Sequence, residues 1–71
     1  MKIRYKFIHF EEKQIFGGMK YYKCINNRAK DTLGTVDWDE AWRQWVFCPE
    51  KDTIYSVSCM ADISHFIGQL K

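Results

Sequence analysis

Only one stretch of this 71-residue chain repeats with helical spacing, and it comes last. Met60, Ile63, Ile67 and Leu70 recur at intervals of three and four, with Cys59 and Phe66 broadening the stripe. Ser56 ahead of them is a good N-cap, and Asp62 and Lys71 suit the two ends of the helix dipole. The residues before Ser56 read as short extended runs. Several strands and one helix leave one economical arrangement, an antiparallel sheet covered on one face by the helix.

The runs can be placed one by one. Lys2 to Phe10 alternates, with Ile3, Tyr5 and Phe7 on one side and Lys2, Arg4 and Lys6 on the other. This predicts a first strand with a wet basic face and with His9 turned inward. Glu11 to Gly18 reads as a loop or a loose edge. Lys20 to Ile25 is rich in aromatic and β-branched types and predicts a second strand. Asn26 to Asp31 is a polar turn. Thr32 to Trp38 predicts a third strand, where Gly34 suggests a bulge or a close approach by another group. Asp37 to Ala41 holds a tight turn, and Trp42 to Cys48 predicts a fourth strand ended by Pro49. The fold class expected is α+β in the order β-β-β-β-α, a single domain over residues 1–71.

A chain this short buries only about 60% of its unfolded surface. Its three cysteines, Cys24, Cys48 and Cys59, are an odd number without paired spacing, so no disulfide framework is expected. They read as buried thiols of a cytosolic protein. Twelve of the 71 residues are Phe, Trp or Tyr, more than so small an interior hides. Some are expected to line a pocket or an interface on the sheet face the helix leaves bare, which points to a homo-oligomer or a ligand.

Charge excludes some classes. The net charge of +2 is too small for a chain that coats nucleic acid, and stable nucleic-acid binding is not expected. Residues 1–30 hold eight basic and two acidic groups, residues 31–71 three basic and seven acidic. Opposite faces of this kind attract anions, or each other. No apolar run approaches the roughly 18 residues of a membrane span, and the N-terminus lacks a signal-peptide core.

Catalytic motifs are missing from the sequence: it contains no GxSxG, HExxH or P-loop pattern. The cysteines and histidines lack zinc-ligand spacing, and His9 and His65 read as structural. No metal or cofactor is expected. The unusual segment is Trp38 to Trp45, with three indoles and one guanidinium in eight residues. On a strand, Arg43, Trp45 and Phe47 share one face. An arginine beside an indole can stack on it and still fork onto phosphate oxygens, while the indole stacks on a base. The plain alternative is that the tryptophans are core and Arg43 bridges to a turn carboxylate. Arg28, Asn26 and Tyr22 are the further candidates, as a phosphate clamp, a base-edge contact and a stacking ring. The candidate ligand-binding set is Trp42, Arg43, Trp45, Arg28, Asn26 and Tyr22.

Leu33-Gly34, Val36, Trp38, Trp42-Arg43-Gln44, Phe47, Pro49-Glu50, Asp52-Thr53, Ser56, Cys59, Asp62-Ile63 and Phe66-Ile67 form one spaced pattern. In it the chain from Leu33 to Leu70 resembles a family of small proteins encoded in phages and prophages. Asp39 departs from the pattern, standing where that family tends to have a second aromatic. The resemblance implies a phage origin and a location in the cytoplasm of an infected bacterium. By size, setting and site chemistry the chain is similar to anti-CBASS sponges, which sequester cyclic dinucleotides such as cGAMP without cleaving them. The competing reading is a protein-interaction module that inhibits a host defence enzyme.

Overall fold

The computed structural model describes residues 1–70. Strands β1 (Ile8–Gln14), β2 (Lys20–Asn26), β3 (Thr32–Asp39) and β4 (Gln44–Pro49) precede one helix, α1 (Val57–Gly68). The four strands form an antiparallel sheet in the order β1-β2-β3-β4, each joined to its neighbour, so the α+β expectation holds.

The sheet buries the side that α1 covers. Register sets Phe10 opposite Cys24, Tyr22 opposite Val36, and Val36 opposite Phe47, all on that side. Phe66 of α1 stacks on Phe10 with ring centroids 3.9 Å apart, and Tyr22 meets Phe66 edge-on at 5.1 Å. Tyr5, Ile8, Cys24, Leu33, Val36 and Ile63 complete the core. The helix starts where the sequence suggests, with the Ser56 hydroxyl accepting the Cys59 N–H at 3.1 Å. Its buried line runs through Ile63 and Phe66, while Met60 is exposed, so the stripe is rotated toward Phe66.

Several expectations need correction, among them the burial of all three thiols, since Cys48 is exposed. The first strand does not run from Lys2. The chain reverses at Lys6-Phe7: the Tyr5 N–H donates to the Ile8 carbonyl at 2.8 Å, and Arg4 pairs with His9. Asn27 holds this reversal, its amide donating to the carbonyls of Tyr5 (2.9 Å) and Lys6 (3.4 Å) and its backbone N–H to that of Phe7 (2.9 Å). Of Ile3, Tyr5 and Phe7 only Tyr5 is buried, and Ile8 and Phe10 take the inner positions. The strand then continues through Gln14, inside the expected loop, and turns at Ile15–Met19 with Gly17 and Gly18 at φ 100 and 89°.

Second, His9 is not on the inner side. Its Nδ1 meets Asn27 Oδ1 at 2.6 Å and its Nε2 meets Glu11 Oε2 at 3.2 Å on the opposite face. Third, that uncovered face is mainly polar, with one aromatic. By the alternation of the strands it carries Glu11, Lys13, Lys23, Thr35, Asp37 and Gln44 beside Tyr21, Ile25, Val46 and Cys48. Apart from Tyr21, opposite Lys13, the aromatic residues of the sheet lie on the helix side, where their area leaves water.

Gly34 shows both features the sequence suggested. Cys24 faces Gly34 while Ile25 faces Thr32, so Leu33 is the extra residue of a bulge. A Cβ on Gly34 would lie 2.6 Å from Phe47 Cζ and 2.7 Å from the Cys48 carbonyl oxygen. The Leu33 carbonyl accepts from the Glu50 N–H at 2.8 Å, next to the Gly34–Pro49 pair, and from the Tyr55 hydroxyl. No helix among the described residues is long and apolar enough to cross a membrane.

Candidate functional site

The β3–β4 connection builds the site. Asp39 and Gln44 close a four-residue loop, Glu40 to Arg43. The Asp39 carboxylate accepts the N–H groups of Ala41 (2.9 Å) and Trp42 (3.3 Å), which nucleates the turn. Arg43 closes the loop in the left-handed region, φ 55°. Trp38 and Trp45 are cross-strand partners, their rings meeting edge-on at 5.8 Å. Trp38 Nε1 donates to Glu40 Oε2 at 2.8 Å, which fixes the outer indole.

Beneath this turn lies a groove of about 300 Å³, lined by Trp38, Arg43, Gln44, Trp45, Ile67 and Leu70. Its walls are two indoles and two aliphatic side chains of the helix end. Arg43 and Gln44 are its polar lining residues, beside the indole N–H groups of the two tryptophans. A planar ring can lie against the indoles and an anionic group can meet the guanidinium fork. A second groove of about 300 Å³ is lined by Phe47, Pro49, Tyr55, Met60 and Ile63, without a charged group.

The six sequence candidates do not converge. Arg43 and Trp45 line the groove together, although Arg43 reaches it from the turn and not from the strand face expected. Trp42 sits on the outside of the loop, 71% exposed, and is not among the lining residues. Tyr22 is a core ring, 3% exposed, packed edge-on against Trp45 at 5.9 Å. It supports the groove from behind. Arg28 and Asn26 belong to the β2–β3 turn, where Asn26 Oδ1 accepts the N–H groups of Arg28 (2.8 Å) and Ala29 (3.0 Å). That turn is at the opposite end of β3, about 23 Å away at the usual rise of a strand. Within one chain these two residues cannot share a ligand with Arg43.

Trp38, Gln44, Ile67 and Leu70 are the lining residues outside that set. Trp38 was recoverable: a four-residue loop between Asp39 and Gln44 makes Trp38 and Trp45 partners. The approach of Ile67 and Leu70 to β4 depends on how the helix crosses the sheet, which no local pattern encodes.

The thiols differ by place. Burial, with a smaller push from Cys59, raises the Cys24 thiol to about 12. Cys48 is exposed, and its pKa is also raised, by partial burial first and then by Asp37 and Asp39. Neither environment makes a reactive thiolate. Glu11 is held below the usual carboxylate value by its hydrogen bonds to His9 and Lys13. No group of three or more His, Cys, Asp or Glu side chains among the described residues is arranged to hold a metal. Comparison of the chain with models of known families, with curated proteins and with solved structures finds no match.

Proposed function

We propose that the protein binds a small nucleotide of the cyclic dinucleotide class in the groove under the β3–β4 turn and holds it without cleaving it. The observation that carries this reading is that Arg43 lines a groove walled by the Trp38–Trp45 pair. A base stacked on an indole contributes about 1–3 kcal/mol. A guanidinium forked onto a phosphate adds a charge-assisted pair of hydrogen bonds. Gln44 offers both a donor and an acceptor to a base edge. The lining residues include no carboxylate, imidazole or thiol to move a proton, which favours capture over turnover. The resemblance to phage proteins supports sequestration of a host immune signal as the role, in the cytoplasm of an infected bacterium.

Native mass spectrometry of the purified protein, without and with a panel of cyclic nucleotides, tests this. A discrete species that gains a fixed number of nucleotides supports a sponge and identifies its ligand class. A species that gains none of the panel removes the reading. The other reading is an interaction module that blocks a host defence enzyme. The exposed Ile54, Val57 and Met60 beside the second groove favour it, and stoichiometric capture of one host protein would establish it.

A further inference from the structure

The two edges of the sheet are unequal. On β1 the N-terminal segment folds over the first half of the outer edge, where the Phe10 N–H donates to the Ile3 carbonyl at 2.8 Å. The second half carries Glu11, Glu12 and Lys13. Covering and charge are the usual ways a protein guards an edge strand. On β4 neither is present. Gln44 to Cys48 has no charged residue, and among the described residues its only backbone partners are on β3. Pro49 interrupts the edge only at its last position.

We propose that β4 is an interface strand that pairs antiparallel with β4 of a second copy of this chain, across a twofold axis at Val46. Alternation along the strand restricts the register. Trp45 and Phe47 face the helix side, and Gln44, Val46 and Cys48 face the other. A twofold axis perpendicular to the sheet keeps both helices on one side, so residues pair only with partners of the same face. The axis must therefore pass through a residue and not between two.

Charge and packing choose among the positions. With the axis at Val46, Trp45 lies opposite the partner's Phe47, and Gln44 opposite the partner's Cys48. Arg43 then lies beside the partner's Pro49 and the partner's Glu50, an opposite charge. An axis at Phe47 would bring Arg43 toward the partner's Lys51, a like charge. An axis at Trp45 would pair only Gln44 to Val46, because the chain leaves the strand at Arg43. Among the described residues Arg43 and Glu50 form no salt bridge, which leaves the two opposite charges available for such a contact. The arrangement also places the Trp38–Trp45 groove of one copy beside the Phe47 groove of the other. It requires no nucleotide, although it shares Arg43 with the groove of the binding reading.

Sedimentation equilibrium of the full chain tests the pairing, with circular dichroism to confirm that each variant folds. The wild-type protein is expected at twice its 8.6 kDa mass. Val46→Lys sets like charges opposite each other on a solvent face and is expected to raise the dimer dissociation constant about tenfold or more. Val46→Cys, in a Cys48→Ser background, is expected to cross-link two chains under mild oxidation, because residues directly opposite on the axis are within disulfide reach. A monomeric wild-type protein would overturn the proposal. So would a dimer unmoved by Val46→Lys, or a Val46→Cys variant that does not cross-link.

Discussion

Replacing Gly34 by alanine asks whether the bulge in β3 is where the sheet is tightest. The added methyl would meet Phe47 Cζ at 2.6 Å and the Cys48 carbonyl oxygen at 2.7 Å, both well inside ordinary contact. One neighbour is a ring end that can swing. The other is backbone on the paired strand and cannot move without stretching the ladder. Overpacking of this kind costs about 1–3 kcal/mol. The backbone at Gly34 lies outside the left-handed region, so alanine also restricts the unfolded chain, a gain of about 0.4–1 kcal/mol. The net expectation is a loss of about 1–2 kcal/mol, or roughly 4–16 °C in melting temperature for a domain of this size. Urea and thermal denaturation at matched protein concentration measure it. A Phe47→Leu background separates the two clashes. There the cost of Gly34→Ala should shrink without vanishing, because the carbonyl remains. A Gly34→Ala variant as stable as the wild type would refute the close-approach argument.

Three other outcomes follow from the geometry. Tyr55→Phe removes the hydroxyl that donates to the Leu33 carbonyl and is expected to cost about 1 kcal/mol in denaturant titrations, since the Glu50 N–H still satisfies that carbonyl. The Cys24 thiol is raised in the folded state from 9.0 to about 12. The unfolded chain therefore loses that proton first, and stability is full below pH 9 and falls between pH 9 and about 12. Cys24→Ala should flatten that part of the alkaline stability profile. Arg43→Gly relieves a left-handed residue and is expected to raise stability by about 0.5–1 kcal/mol in thermal melts, even though it deletes the guanidinium.

Much of this fold was legible because its signals are local. The aromatic and β-branched run at Lys20, the Thr32 run and the Trp42 run each lie on a strand, give or take two residues. Ser56 caps the helix as its position suggested. The start of the chain was not legible, because its alternation is cut at Lys6-Phe7 by hydrogen bonds from Asn27, more than twenty residues away. The same turn moved His9 to the polar face. Of the candidate residues, the structure brings Arg43 and Trp45 together because they flank one hairpin end. It sets Arg28 and Asn26 apart from them, because charge and amide chemistry say nothing of which end of a strand a turn occupies. Tyr22 is aromatic either way, and only its packing between Trp45 and Phe66 makes it core. The expectation of a bare aromatic face failed for a general reason. One helix covers enough of a four-stranded sheet to take all its large rings but Tyr21 on its own side.

The central claim is that Arg43 and the Trp38–Trp45 pair form one binding groove. Tryptophan fluorescence titration with cyclic dinucleotides tests it most directly, because a stacked base reports on the wall itself. The wild-type protein should show saturable quenching. Arg43→Gly should keep its fold and lose affinity by about tenfold or more, the loss of a charge-assisted fork. Arg28→Gln, at the far end of β3, should bind as the wild type does. Quenching by no nucleotide in the series, or equal affinity in Arg43→Gly, would contradict the account.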